Sequence, residues 1–157
     1  MNEKNFIFGK YYDSIRIITM SDDFNEKRVE GKDSVIVKNY FFDREIRNGK
    51  NYYYHGNMID MGNSEPVLAL FQYKNKIIAY GRIVKRIKAN EEEYIKPKND
   101  DYPYDGLIVV DDIFKVDINN EELNQVLKRK INFSNALHIL DVEIDKFQAL
   151  LFRKTNL

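Results

Sequence analysis

The sequence predicts an α+β fold, a largely antiparallel sheet followed by C-terminal helices. Three observations predict it. First, Pro66 to Lys88 holds two apolar, β-prone runs, Val67–Tyr73 and Ile77–Ile87, around a polar Lys74-Asn75-Lys76 interruption. The first run is too short for a typical helix and Pro66 bounds it, so the pair reads as an antiparallel hairpin. Second, the chain carries 11 Tyr and 10 Phe but no Trp, and aromatics favour strands, cores and stacking surfaces. Third, Leu137, Leu140, Ile144, Phe147 and Leu151 fall at helical spacing.

Taken in order, Phe6, Ile7 and Phe8 form a short apolar run closed by Gly9, and Ser14–Met20 is a second strand candidate with Ile15, Ile17 and Ile18. Lys10-Tyr11-Tyr12-Asp13 between them reads as a turn with exposed aromatics. Residues 21–33 are polar, with room for a short helix capped by Ser21 or Asp22. Val35–Val37 and Tyr40–Phe42 read as strand, and Asn48-Gly49 is a turn signal before the aromatic strand Tyr52-Tyr53-Tyr54. An exposed loop leads to the hairpin, and residues 89–105 form a polar loop ending in Tyr102-Pro103-Tyr104. Leu107–Val110 is a strand, and 112–118 alternates so that Phe114, Val116 and Ile118 share an apolar face. Asn119 and Glu122 have capping-box spacing, with Ile118 and Leu123 at the staple positions. The helix they start is expected to run about three turns, to Lys128-Arg129-Lys130. A last helix is expected over 141–153. Nothing divides the chain, so residues 1–157 read as one domain.

Composition excludes several function classes. Twenty-five basic and 25 acidic residues cancel, which argues against a polyanion binder held by bulk charge but leaves room for a local basic stripe. The absence of cysteine removes disulfide and thiolate chemistry and fits a reducing, cytoplasmic setting. No apolar run approaches the length of a membrane span, and the N-terminus is too polar for a signal peptide, so no membrane partner is expected. The two histidines, His55 and His138, lack metal-ligand spacing, and the seven glycines form no phosphate-cradling loop. Glu30-Gly31-Lys32 downstream of Asp22 and Asp23 matches a nuclease centre in letters only, because its surroundings are not strand-like. Asp100-Asp101 and Asp111-Asp112 read as solvated turn residues. No catalytic residue, metal or cofactor is expected, and the chain is not read as an enzyme.

Two features point to a ligand. Lys74, Lys76, Arg82, Lys85, Arg86 and Lys88 lie within fifteen residues, and Lys128 and Arg129 lead a second cluster. Strand alternation would put Arg82, Arg86 and Lys88 on one face and Lys85 on the other, a row able to neutralise phosphates. The plainer alternative is a wet sheet face whose lysines discourage edge-to-edge association. The tyrosines are the second feature. Tyr40, Tyr52, Tyr54, His55, Tyr102 and Tyr104 are the candidates for a base pocket, where stacking is worth about 1–3 kcal/mol per base. Against that, alternate residues of Tyr52-Tyr53-Tyr54 must face the other side of the sheet, as core filling with a hydroxyl reaching solvent.

The order of these motifs resembles the PUA-like superfamily, which includes the EVE, ASCH and YTH groups. The matching residues are the hairpin from Val67 to Val84, whose second strand from Lys76 to Val84 carries a Lys-x-Ile and then a Gly-x-Ile-Val, the strand Asp105–Val110, and Asp112-Ile113-Phe114 before the helix. More narrowly, Tyr52–Tyr54, Leu70–Ile77, Tyr104-Asp105-Gly106, Glu121–Lys130 and Phe133-Ser134 are similar to the N-terminal reader domains of modification-dependent restriction enzymes. The resemblance covers roughly Val35 to Leu151. It implies a small mixed or antiparallel, β-barrel-like sheet flanked by short helices, with a pocket for a flipped, modified base. It also implies nucleic acid as partner, DNA ahead of RNA, and a nuclease or motor domain in a longer protein if this chain is an excised reader. A competing reading is a protein-interaction module, such as a phage-borne inhibitor of a host defence complex, whose acidic 91–105 loop mimics nucleic acid.

Overall fold

The computed structural model describes residues 6–20, 51–54, 66–88, 106–131 and 140–155; over 51–54, 86–88 and 106–108 it describes the course of the backbone. The strands are β1 (Phe6–Ile7), β2 (Lys10–Tyr11), β3 (Ser14–Met20), β4 (Asn51–Tyr54), β5 (Val67–Tyr73), β6 (Lys76–Lys88) and β7 (Gly106–Asn119). Two helices follow, α1 (Asn120–Asn124) and α2 (Ile144–Thr155). The expected strands over 35–42, the helix within 21–33 and the loops over 55–65 and 89–105 lie outside the described residues.

β5 is buried along its whole length, with Leu68, Ala69, Leu70 and Phe71 at 1% exposure or less. A strand covered on both faces favours apolar residues at every position, which is why Val67-Leu68-Ala69-Leu70-Phe71 shows no alternation. It pairs in parallel with β3, Ser14 to Met20 against Val67 to Tyr73, and antiparallel with β6. The five-stranded sheet has the order β3-β5-β6-β7-β4, with β1 and β2 in a separate hairpin. The fold is therefore α+β and the sheet is mixed. The barrel-like closure expected from the resemblance is not what the described strands form: β3 and β4 end an open sheet.

The hairpin between β5 and β6 is tighter than Lys74-Asn75-Lys76 suggests. Lys76 already pairs with Tyr73, so the loop is Lys74-Asn75 alone, with Lys74 at φ 56°. The Gln72 side chain donates through Nε2 to the Lys74 carbonyl, which gives the donor half of this buried amide a partner at the turn. Lys10-Tyr11-Tyr12-Asp13 is not a turn with exposed aromatics. Phe6 pairs with Tyr11 and Ile7 with Lys10 across a two-residue Phe8-Gly9 loop, and Tyr12 is buried. Both loop residues have positive φ, 50° and 78°, the backbone that matches the twist of a two-residue hairpin.

One face of the sheet packs against the helices. Ile15 and Ile17 of β3, Leu68 and Leu70 of β5, Ile77 and Tyr80 of β6, and Val116 and Ile118 of β7 join Leu123, Phe147, Leu150 and Leu151 in one core. At about 1.5–3 kcal/mol per fully buried large apolar side chain, this layer is the main stabilising term. The capping box forms as its spacing requires: the Glu122 N–H donates to Asn119 Oδ1 at 2.8 Å and the Asn119 N–H to Glu122 Oε1 at 3.2 Å.

The helix that box begins is shorter than three turns. It ends at Asn124, whose side chain clamps Ile131 by two hydrogen bonds, Nδ2 to the carbonyl and Oδ1 from the N–H. Leu127 bridges Val142, the Lys128 N–H donates to the Asp141 carbonyl, and the Glu143 N–H donates to the Val126 carbonyl. Those long-range bonds use backbone groups that a longer helix would have needed. The same bridge delays α2, which starts at Ile144 instead of Asp141 because Val142 is committed to Leu127. Along α2 the expected stripe holds, with Phe147 and Leu151 fully buried.

The β6–β7 ribbon carries three register shifts, between Ile77/Ala79, Tyr80/Arg82 and Ile83/Lys85. Bulges of this kind re-aim side chains and strengthen twist. Asp111-Asp112, expected as a solvated turn, lies inside continuous β7. Asp112 is the extra residue at the middle shift and has φ 49°. Gly81 sits opposite this bulge because a Cβ there would meet Val110 Cγ1 at 2.7 Å and Ile113 Cγ1 at 3.2 Å.

Two predictions follow from the packing and the cap. Gly81→Ala forces Val110 to shift in a buried site and should cost about 1–3 kcal/mol, read as a lower urea midpoint; an unchanged midpoint would contradict the close approach. Burial alone would raise the Glu122 carboxyl, but hydrogen bonds from Lys154 and the Asn119 backbone outweigh it and hold it below its ordinary 4.5. A depressed carboxyl contributes stability that is present above the unfolded value and lost as pH falls through the folded one. The stability advantage of the native chain over Glu122→Gln should therefore be full above pH 4.5 and shrink as the solution is acidified further.

Candidate functional site

The basic residues singled out in the sequence do not form one patch. Lys74 and Lys76 stand at the turn end of β6, and Arg86 and Lys88 at the far end. At about 3.3 Å per residue, the twelve steps from Lys76 to Lys88 span roughly 30–40 Å once bulges and twist are allowed for. Near the turn the cations have local partners. Lys74 Nζ lies 5.4 Å from the Tyr73 ring centroid, and Lys76 Nζ lies 3.4 Å from Asp117. Lys128 and Arg129 are exposed on the segment after α1, with Lys128 Nζ 3.9 Å from Asp141.

The third register shift rearranges the rest. β6 advances from Ile83 to Lys85 while β7 steps only from Val110 to Val109, so Val84 is an extra residue and alternation is broken there. Arg82 pairs with Asp111 and Lys85 with Val109, which places Arg82 and Lys85 on one face. Arg86 pairs with Ile108 and Lys88 with Gly106, on the opposite face, that of Ile83 and Val110. The expected grouping of Arg82 with Arg86 and Lys88, against Lys85, is thereby corrected; uninterrupted alternation would have been needed for it.

The register then brings in two of the predicted tyrosines. Ile108 pairs with Tyr52 and Gly106 with Tyr54 across β7 and β4. Arg86, Ile108 and Tyr52 form one cross-strand row, and Lys88, Gly106 and Tyr54 the next row of the same face. This face is the one opposite α2. The remaining base-pocket candidates, Tyr40, His55, Tyr102 and Tyr104, lie outside the described residues.

Sequence reasoning missed a pocket on the helix-packed face. It has a volume of about 250 Å³, a floor of Ile7 and Leu68, and walls from the buried Tyr12 and Tyr80. Phe8, Lys10, Asp112 and Phe114 form its rim. Phe114 stacks on Tyr80 with ring centroids 5.3 Å apart and planes inclined by 30°. Phe8 and Phe114 remain 48% and 44% exposed. Lys10 Nζ and Asp112 Oδ2 pair at 2.5 Å at the rim, both side chains well exposed. Gln148 of α2 anchors the hairpin by accepting from the Phe8 N–H at 2.8 Å. The half-buried Arg82 keeps a buried Nε without a hydrogen-bond partner, and its charge lies within electrostatic reach of the Tyr12 phenol. The available signal was Phe8-Gly9 between two apolar runs, but nothing local links it to Asp112, some hundred residues away.

Burial pushes both pocket phenols up from 10.0. For Tyr12, Arg82 partly counters burial while Asp112 and Tyr80 reinforce it; for Tyr80, the hydrogen bond with Thr155 Oγ1 at 3.1 Å partly counters it. Both are neutral hydrogen-bonding groups at physiological pH. Among the described residues no group of His, Cys, Asp and Glu side chains could hold a metal ion. No described helix is long and apolar enough to cross a membrane. No protein-family model matches this chain, and comparison with curated proteins finds no match either.

A phenol raised by folding contributes stability that is complete below its unfolded value and lost as pH rises through the folded one. Above pH 10 the native chain should lose stability more steeply than Tyr12→Phe, measured as the pH dependence of the denaturation midpoint. Parallel curves would contradict a buried, neutral Tyr12.

Proposed function

We propose that this chain is a nucleic-acid reader of PUA-like fold, binding DNA along the far end of β6 and taking a modified, extruded base among tyrosines. In this reading it performs no chemistry of its own. The observation that carries the reading is the pair of cross-strand rows Arg86–Ile108–Tyr52 and Lys88–Gly106–Tyr54. Two cations and two aromatics, distant in sequence, share one sheet face at the short edge strand β4. Cations there neutralise phosphates and release counterions, which supplies affinity despite a net charge of zero. Tyrosines on the same face supply stacking, which offsets the few kcal/mol needed to extrude a base. The open mixed sheet with helices on one face is the coarse architecture, and the PUA-like assignment within it belongs to this proposal.

The reading is tested by fluorescence anisotropy with modified and unmodified duplexes across a salt series. Each phosphate contact removed by Arg86→Ala or Lys88→Ala should lower the slope of log affinity against log salt by about 0.9. Tyr52→Ala should weaken binding of the modified duplex more than the unmodified one. Absence of binding at low salt, or slopes untouched by both basic substitutions, would end the proposal.

A further inference from the structure

The pocket beneath Phe8 and Phe114 lies on the other face from the Arg86 and Tyr52 rows, and the reading above assigns it nothing. Its backbone is unusual. Three non-glycine residues in the described chain have positive φ, and two of them, Phe8 and Asp112, stand at this rim. Such conformations cost on the order of 1–3 kcal/mol each, and for Phe, a bulky residue, the left-handed region is a genuine outlier. The hydrogen bond from the Phe8 N–H to Gln148 and the β-bulge at Asp112 hold both residues in place. The result is two aromatic rings kept half in water above a cavity lined by two phenols.

Size limits the ligand. About 250 Å³ lies below the roughly 300–1,000 Å³ of sites for drug-sized molecules, so the pocket suits one planar ring system. The walls suit an aromatic ring, since Phe114, Tyr80 and Tyr12 offer π-faces and edges. The rim then selects among rings. Lys10 and Asp112 place a cationic donor directly beside a carboxylate acceptor. The matching ligand edge carries an acceptor next to N–H donors, and a carboxylate is best met by two parallel N–H groups. Guanine alone among the common bases has a carbonyl followed by two adjacent N–H donors on its pairing edge. An exposed ion pair is worth only about 0–1 kcal/mol, so a ligand that satisfies both groups separates Lys10 from Asp112 at little cost.

We propose that the pocket bounded by Phe8, Lys10, Tyr12, Asp112 and Phe114 is a binding site for a guanine ring, its carbonyl on Lys10 and its two N–H donors on Asp112. The ring comes either from a free guanine nucleoside or from an unpaired guanine in a single strand; the chemistry recognised is the same.

Titration of the full chain with guanosine, inosine and adenosine, followed by amide NMR, tests it. Guanosine should shift the resonances of Phe8, Tyr12 and Phe114 and bind at least tenfold more tightly than adenosine, with inosine between them because it lacks the second donor. Asp112→Asn keeps a residue type that tolerates positive φ. It should leave the spectrum of the free protein essentially intact while abolishing the preference for guanosine over adenosine. Phe114→Ala should weaken guanosine and inosine alike. A single-stranded oligonucleotide with one guanine that binds more tightly than guanosine, at the same resonances, assigns the ring to nucleic acid. Equal or weaker binding assigns it to the free nucleoside. No shifts at the pocket, equal affinity for adenosine, or an indifferent Asp112→Asn would overturn the proposal. None of these outcomes depends on Arg86, Lys88 or Tyr52, so duplex binding and guanine binding fail or stand separately.

Discussion

Burial of β5 on both faces is the constraint on which the other elements depend. Its backbone is paired on both edges, with β3 in parallel and with β6 antiparallel. Its side chains alternate between the core under α2 and the face that continues to Ile83 and Val110. A strand so placed needs cover from every side, and the neighbours supply it by hydrogen bonds as well as packing. The Asp13 N–H donates to the Pro66 carbonyl, fixing the start of β5 against the start of β3. The Leu140 N–H donates to the Ile15 carbonyl and satisfies part of the β3 edge, the position where an open sheet is otherwise prone to association. Lys154 pairs with Glu122, joining the end of α2 to the cap of α1.

The long β6–β7 ribbon turns this framework into two chemically different faces. A regular ladder would have kept Arg82 and Arg86 together. The extra residue Val84 separates them, sending Arg82 and Lys85 to the face packed by α2 and the Arg86 row to the other. The extra residue Asp112 acts on β7 in a related way, since its left-handed backbone puts a carboxylate at the pocket rim beside Lys10. Gly81 belongs to the same device, because only a residue without Cβ leaves room for Val110 across the shifted register. Both candidate sites thus lie beside bulges, where a strand can aim a side chain that strict alternation would have turned away.

Much of this was legible in local sequence, because its causes are local. The apolar run Val67–Tyr73, the strand Ser14–Met20, the capping box at Asn119 and Glu122, and the Phe147–Leu151 stripe follow from side-chain spacing and short hydrogen bonds, and they form where expected. The two errors of helix extent have a single source. α1 stops early and α2 starts late because Leu127 and Val142 find each other, a contact between segments that no propensity encodes.

What the sequence by itself determined was therefore the α+β class, the longer strands and both helices of the described segments, and the types of residue available for binding, while β2 and the stretch of β7 through Asp111-Asp112 read as turns. Only the tertiary structure decided that the sheet is open, which cations share a face, and that residues 8–12 and 112–114 enclose a cavity. The physical reason is parity: one inserted residue reverses every later side chain in a strand, yet leaves composition and hydrophobic pattern almost unchanged.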